Sequence, residues 1–152
     1  MKRFSIRLGL ILAALTLLAA GTPAHAGERP FKASGYGHVD GNGNMTIRLD
    51  ATQHLGKAYG FGSVAGYLDY PQILEIPGYL YAANGDRLDL HSVVDYDTDY
   101  NTGIGIAIGT MTFTGGTGRF QDATGSADVM FVFDIYSVYF DFDLLIDGSI
   151  DY

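Results

Sequence analysis

Apolar and polar residues trade places at every second position along much of this chain. Nowhere beyond residue 26 do apolar residues hold the i, i+3, i+4, i+7 spacing of a helical face for three turns. From Val138 onward, Phe140, Phe142, Leu144, Ile146 and Ile150 share one side, while Asp141, Asp143, Asp147 and Asp151 share the other. A strand with this pattern turns Phe140, Phe142 and Ile146 into a core and keeps its aspartates wet. Met45, Ile47 and Leu49 alternate with Thr46, Arg48 and Asp50 in the same way. The stretch 104–109 sets Ile104, Ile106 and Ile108 against Gly105, Ala107 and Gly109, so one of its faces is nearly bare. Residues 129–136 form an apolar run interrupted only by Asp134, the mark of a strand covered on both sides for part of its length.

Turn signals divide these stretches. Asn84-Gly85 accepts the positive φ angles of a tight hairpin turn, and Asp40-Gly41-Asn42-Gly43 plays the same part earlier in the chain. Eight strands are expected, at 34–40, 45–53, 57–68, 79–83, 87–96, 103–113, 126–136 and 138–146, with a further short piece at 149–152. Short strands separated by turns every 8–12 residues or so indicate a sandwich or a barrel. Closure removes exposed edges and lets each strand pair with its neighbour in sequence, so a single antiparallel β-barrel is the expected architecture.

Between two of these strands lies Phe113-Thr114-Gly115-Gly116-Thr117-Gly118-Arg119-Phe120, followed by Ala123-Thr124-Gly125. The glycines permit backbone angles closed to other residues, and Phe120 is the one large apolar side chain within 114–125. It is expected to fold back as a plug on the end of the core, with Arg119 turned outward or bonded to turn carbonyls. This segment, with Asn84-Gly85-Asp86 and the closing Asp147-Gly148-Ser149-Ile150-Asp151-Tyr152, resembles small exported bacterial barrels related to the allene oxide cyclase and dirigent-type barrels. The resemblance implies a calycin-like, eight-stranded antiparallel barrel with a central cavity, often in oligomers. It assigns Gly115, Gly116, Gly118, Phe120 and Gly125 an architectural role and implies no catalytic residue.

Composition narrows the functional classes. Lys2, Arg3 and Arg7 precede an apolar stretch from Leu8 to Ala20 that ends at Ala24-His25-Ala26, the pattern of a secretory signal peptide. Residues 1–26 are expected to be removed, leaving a domain over 27–152 that is secreted or periplasmic. Three of the nine basic residues fall in that leader, so six face seventeen acids in the remainder, a net charge of −11. Such a balance opposes nucleic acid and anionic membrane surfaces as partners. The chain has no cysteine, which excludes disulfides and thiolate chemistry.

Candidate chemistry is sparse. Asp95, Asp97 and Asp99 place oxygens at every second residue of an acidic stretch, a candidate Ca²⁺ loop, against which stands a solvated loop tip. His38, His54 and His91 lack the spacing of a metal-binding pair and read as ordinary strand or turn residues. Glu75 lies in Ile73-Leu74-Glu75-Ile76-Pro77, where burial would raise its pKa, although a loop across the barrel mouth is the plainer reading. No cofactor is expected.

Tyrosine gives the remaining clue. Tyr36, Tyr59, Tyr67, Tyr79 and Tyr81 lie near small residues such as Gly60 and Gly62, and a ring with a hydroxyl suits a pocket for a small amphipathic ligand. The same residues would equally serve a subunit interface. The sequence therefore favours an exported barrel holding a small apolar or aromatic ligand. A cyclase or isomerase, an interaction protein and an outer-membrane barrel remain as alternatives.

Overall fold

The computed structural model describes residues 27–64 and 73–152. The expected signal peptide and Tyr67 therefore lie outside the described residues. Eight strands follow in order: β1 (Arg29–Val39), β2 (Asn44–Thr52), β3 (Ala58–Ser63), β4 (Ile73–Tyr81), β5 (Arg87–Asp99), β6 (Ile104–Gly116), β7 (Thr124–Asp134) and β8 (Asp141–Asp151). Each pairs antiparallel with the next, and β8 returns to β1, so the sheet is a closed barrel. The closing register sets Phe31 opposite Gly148, Ala33 opposite Ile146 and Gly37 opposite Phe142.

The core lies inside the barrel. Inward positions carry Phe31, Met45, Ile47, Leu49, Ile76, Leu80, Leu88, Leu90, Met111, Phe113, Val129, Phe131, Phe142, Leu144 and Ile146, all buried. β6 turns its bare face inward and its isoleucines outward: Gly105 and Ala107 are buried, whereas Ile108 is exposed. Volume explains this choice. A Cβ on Gly105 would fall within van der Waals overlap of the Phe133 ring, so the interior takes aromatics from β7 only because β6 supplies almost nothing opposite them. β7 is covered on both sides as expected, since Met130 and Val132 on its outer face are buried as well.

Three local expectations are corrected. Residues 73–77 are not a loop across the mouth but the start of β4, and Pro77 sits one residue before the paired stretch of β3 and β4 begins. β5 runs past its expected end at 96, so residues 97–99 belong to the strand rather than to a loop. Phe140 is not in the last strand; it precedes β8, is exposed, and has a positive φ of 44°. Phe142 and Ile146 do face the core.

The two ends of the barrel differ. One is sealed by the 3₁₀ turn Gly118–Phe120, which buries Phe120 completely beside Leu55, Leu88 and Ile150 of the same core cluster. Arg119 lies over the Phe120 ring, donates from its guanidinium to the His54 carbonyl, and approaches Asp86 at 3.7 Å. It thus ties the β2–β3 connection to the β4–β5 hairpin. The opposite end, where 40–43, 100–103 and 135–140 connect the strands, is more open.

Candidate functional site

Inside the open end lies a cavity of about 650 Å³. Its wall is built from inward positions: Met45 of β2, Leu74 and Ile76 of β4, Tyr96 and Thr98 of β5, Ala107 of β6, Phe131 and Phe133 of β7, and Phe142 of β8. Strand alternation places them there. On β5 the inward column runs Leu88, Leu90, Ser92, Val94, Tyr96, Thr98, apolar at the sealed end and increasingly polar toward the mouth. The small side chain of Ala107, opposite Tyr96 on one side and Phe131 on the other, leaves the room that its aromatic neighbours surround.

One polar group lies at the rim of this cavity, and another is buried deeper in the barrel beyond its lining. At the rim, Asp40 accepts the backbone N–H of Asn42 (2.8 Å) and of Asn44 (2.9 Å) and the Asn44 side-chain amide (2.9 Å). The Asn44 hydrogen bonds hold its carboxyl below the ordinary aspartate value. Deeper in the barrel, Ser92 is buried and its Oγ has no hydrogen-bond partner among the described residues. The register sets it opposite Ile76, a cavity residue, and opposite Met111.

The predicted tyrosines do not line this cavity. Tyr36, Tyr59, Tyr79 and Tyr81 stand on the outer wall: on β3 Gly60 and Gly62 take the inward positions beside Tyr59, and on β4 the buried Leu80 takes the inward position between Tyr79 and Tyr81. Tyr59 packs against Tyr81 in a tilted pair with ring centroids 5.2 Å apart, and Tyr79 meets Tyr81 edge-on at 5.5 Å. The pocket expected from these residues is therefore outside the barrel, not within it.

The acidic candidates do not converge either. Asp95, Asp97 and Asp99 project from one exposed side of β5, spaced about 7 Å apart along a strand, too far to share one small cation. Asp99 caps the following turn: it accepts the backbone N–H of Asn101 (2.9 Å) and the Thr102 hydroxyl (3.0 Å), which lower its pKa in that order. Among the described residues no group of three His, Cys, Asp or Glu side chains could hold a metal ion. Glu75 is exposed on the outer wall, 3.9 Å from His91 Nε2, and is not buried among its apolar neighbours.

His54 has a structural place at the sealed end. Its Nε2 lies 2.7 Å from the Pro30 carbonyl, to which it donates, and its Nδ1 lies 3.1 Å from the Tyr152 hydroxyl. Tyr152 also meets Phe120 edge-on at 4.8 Å and lies under the Arg29 guanidinium at 4.7 Å. Sequence reading missed Tyr96 and Thr98 as cavity residues, although both continue the alternation of Val94; the surrounding aspartates had marked the stretch as a loop.

The strand order defines the class: an all-β, closed, eight-stranded antiparallel barrel. No family model matches the chain. No curated protein matches it either. Among solved structures it is similar to a pterocarpan synthase dirigent protein, at 17% identity over 86% of this chain and 89% of that one, with a TM-score of 0.43.

Proposed function

We propose that the protein binds a small apolar or aromatic ligand in the open end of the barrel. The observation that carries this reading is the 650 Å³ cavity walled by Met45, Ile76, Tyr96, Phe131, Phe133 and Phe142, a size and lining suited to a drug-sized apolar molecule. Apolar burial supplies the affinity, and the hydroxyls of Thr98 and Tyr96 at the mouth orient any polar end. The outer wall favours water over lipid, since Lys32, Glu75, Asp95, Asp97 and Asp147 project from strand positions that a membrane belt would keep apolar.

The test is a fluorescence titration with N-phenylnaphthylamine, a neutral apolar dye. Saturable enhancement at one dye per chain is expected, lost in Ala107→Phe, which places a ring in the cavity, and retained in Ala107→Gly. Absence of saturable binding, or equal binding by the Phe variant, would overturn the reading. Ser92→Ala is expected to raise the stability of the ligand-free barrel by about 1 kcal/mol, because it removes an unsatisfied buried hydroxyl. Thermal melting checks this.

A further inference from the structure

The outer wall holds a second site that owes nothing to the cavity. Two rows of side chains cross β1 to β5 at right angles to the strands. The register sets Tyr36 beside Arg48, Arg48 beside Tyr59, and Tyr59 beside Tyr81. The next row runs His38, Thr46, Phe61, Tyr79 and Asp89. Tyr36, Tyr59 and Phe61 are 49%, 52% and 41% exposed, a large outlay of aromatic surface for a wall that faces water. Two grooves flank these rows, of about 850 and 650 Å³, with Thr46 and Phe61 in the walls of both. The four strand gaps from β1 to β5 cover about 19 Å of wall, longer than a compact small molecule.

Charge describes the occupant. The larger groove carries Arg48 and Lys57 against Asp50 and Asp141, so it is locally neutral on a domain with a net charge of −11. Neither cation has an acidic partner among the described residues, whereas Lys32, Arg87 and Arg119 each have one. Neutral balance with free donors and free acceptors side by side matches an uncharged polyol, whose hydroxyls both give and accept hydrogen bonds. An extended polypeptide is a poorer match, because strand addition needs a free sheet edge and the closed barrel has none. Nucleic acid is opposed by the net charge.

We infer that the outer face of β1–β5, with Asp141 at the start of neighbouring β8, is a binding site for a neutral polysaccharide, whose sugar rings lie on Tyr36, Tyr59, Phe61 and Tyr81 while Arg48, Lys57, Asp50 and Asp141 engage its hydroxyls. The test is affinity electrophoresis of the purified protein in native gels containing hydroxyethyl cellulose, glucomannan or xylan, with polygalacturonate as the acidic comparison. At least one neutral polymer retards the protein, and raising the salt leaves that retardation unchanged. Tyr59→Ala weakens it about tenfold and Tyr36→Ala with Tyr59→Ala abolishes it. These variants keep dye binding in the cavity and melt within about 2 °C of the parent, because the side chains removed are exposed. Retardation by none of the neutral polymers overturns the inference, as does retardation only by polygalacturonate. Retardation that survives the double substitution, or slow migration in plain gels from self-association through this face, overturns it too.

Discussion

Phe120→Ala is expected to destabilise the barrel by about 4 kcal/mol, the cost of deleting a fully buried aromatic ring and leaving its hole. In a domain of this size that lowers the melting temperature by about 15 °C. The ring has no other route to satisfaction. It is carried by a single 3₁₀ turn, packs edge-on against Tyr152 at 4.8 Å, and is capped by the Arg119 guanidinium at 4.7 Å. Backbone connections fix the turn that bears it, since Arg87 donates to Thr117 Oγ1 (2.9 Å) and Thr117 donates to the Arg87 carbonyl (2.7 Å). The neighbours therefore cannot collapse far into the space. Arg119→Gln should cost much less, about 1 kcal/mol, because its ion pair with Asp86 is long and partly exposed. Differential scanning calorimetry of the two variants checks the ranking. A Phe120→Ala protein melting within a few degrees of the parent would show that the segment only turns a corner and seals nothing.

That plug was legible in the sequence because one large apolar residue among glycines, between two strands, has few places to go. The barrel itself was legible for a related reason: period-two alternation and turn residues are local properties, and they fix strand number and order before any long-range contact is known. The direction in which each face points was less accessible. For β6, hydrophobicity alone argues for Ile104, Ile106 and Ile108 inside, yet the interior has room there only for Gly105 and Ala107, because Phe131 and Phe133 occupy the space from β7. Volume is a property of the closed barrel and not of the strand. The tyrosines follow the same logic. Once Gly60 is inward, Tyr59 and Phe61 must be outward, so the spacing that suggested a pocket also placed it on the opposite side of the wall. Glu75 was read as part of a loop across the mouth, yet it lies in β4, where a proline at the margin of the stretch paired with β3 is compatible with a strand.

Gly125→Val should be nearly as damaging as the loss of Phe120, and for a backbone reason. Gly125, the second residue of β7, has φ +124°, which L-residues rarely adopt, and a Cβ there would overlap the Ser149 carbonyl oxygen and lie 3.1 Å from the Ile150 Cα. Both obstacles are backbone of the paired strand β8, so no side-chain rotation relieves them. The chain must either separate β7 from β8 locally or distort the turn that carries Phe120, at a cost of about 3 kcal/mol or more. Gly41→Ala supplies the contrast: nothing lies within 4 Å of a Cβ at that position, and its φ lies outside the range that favours glycine. That substitution is expected to be neutral or to stabilise by about 0.5 kcal/mol through the unfolded chain. Urea unfolding of the pair separates close approach from glycine content as such. If Gly125→Val kept the parental midpoint, the tight contact of β7 with β8 at the sealed end would not be what holds the barrel shut there.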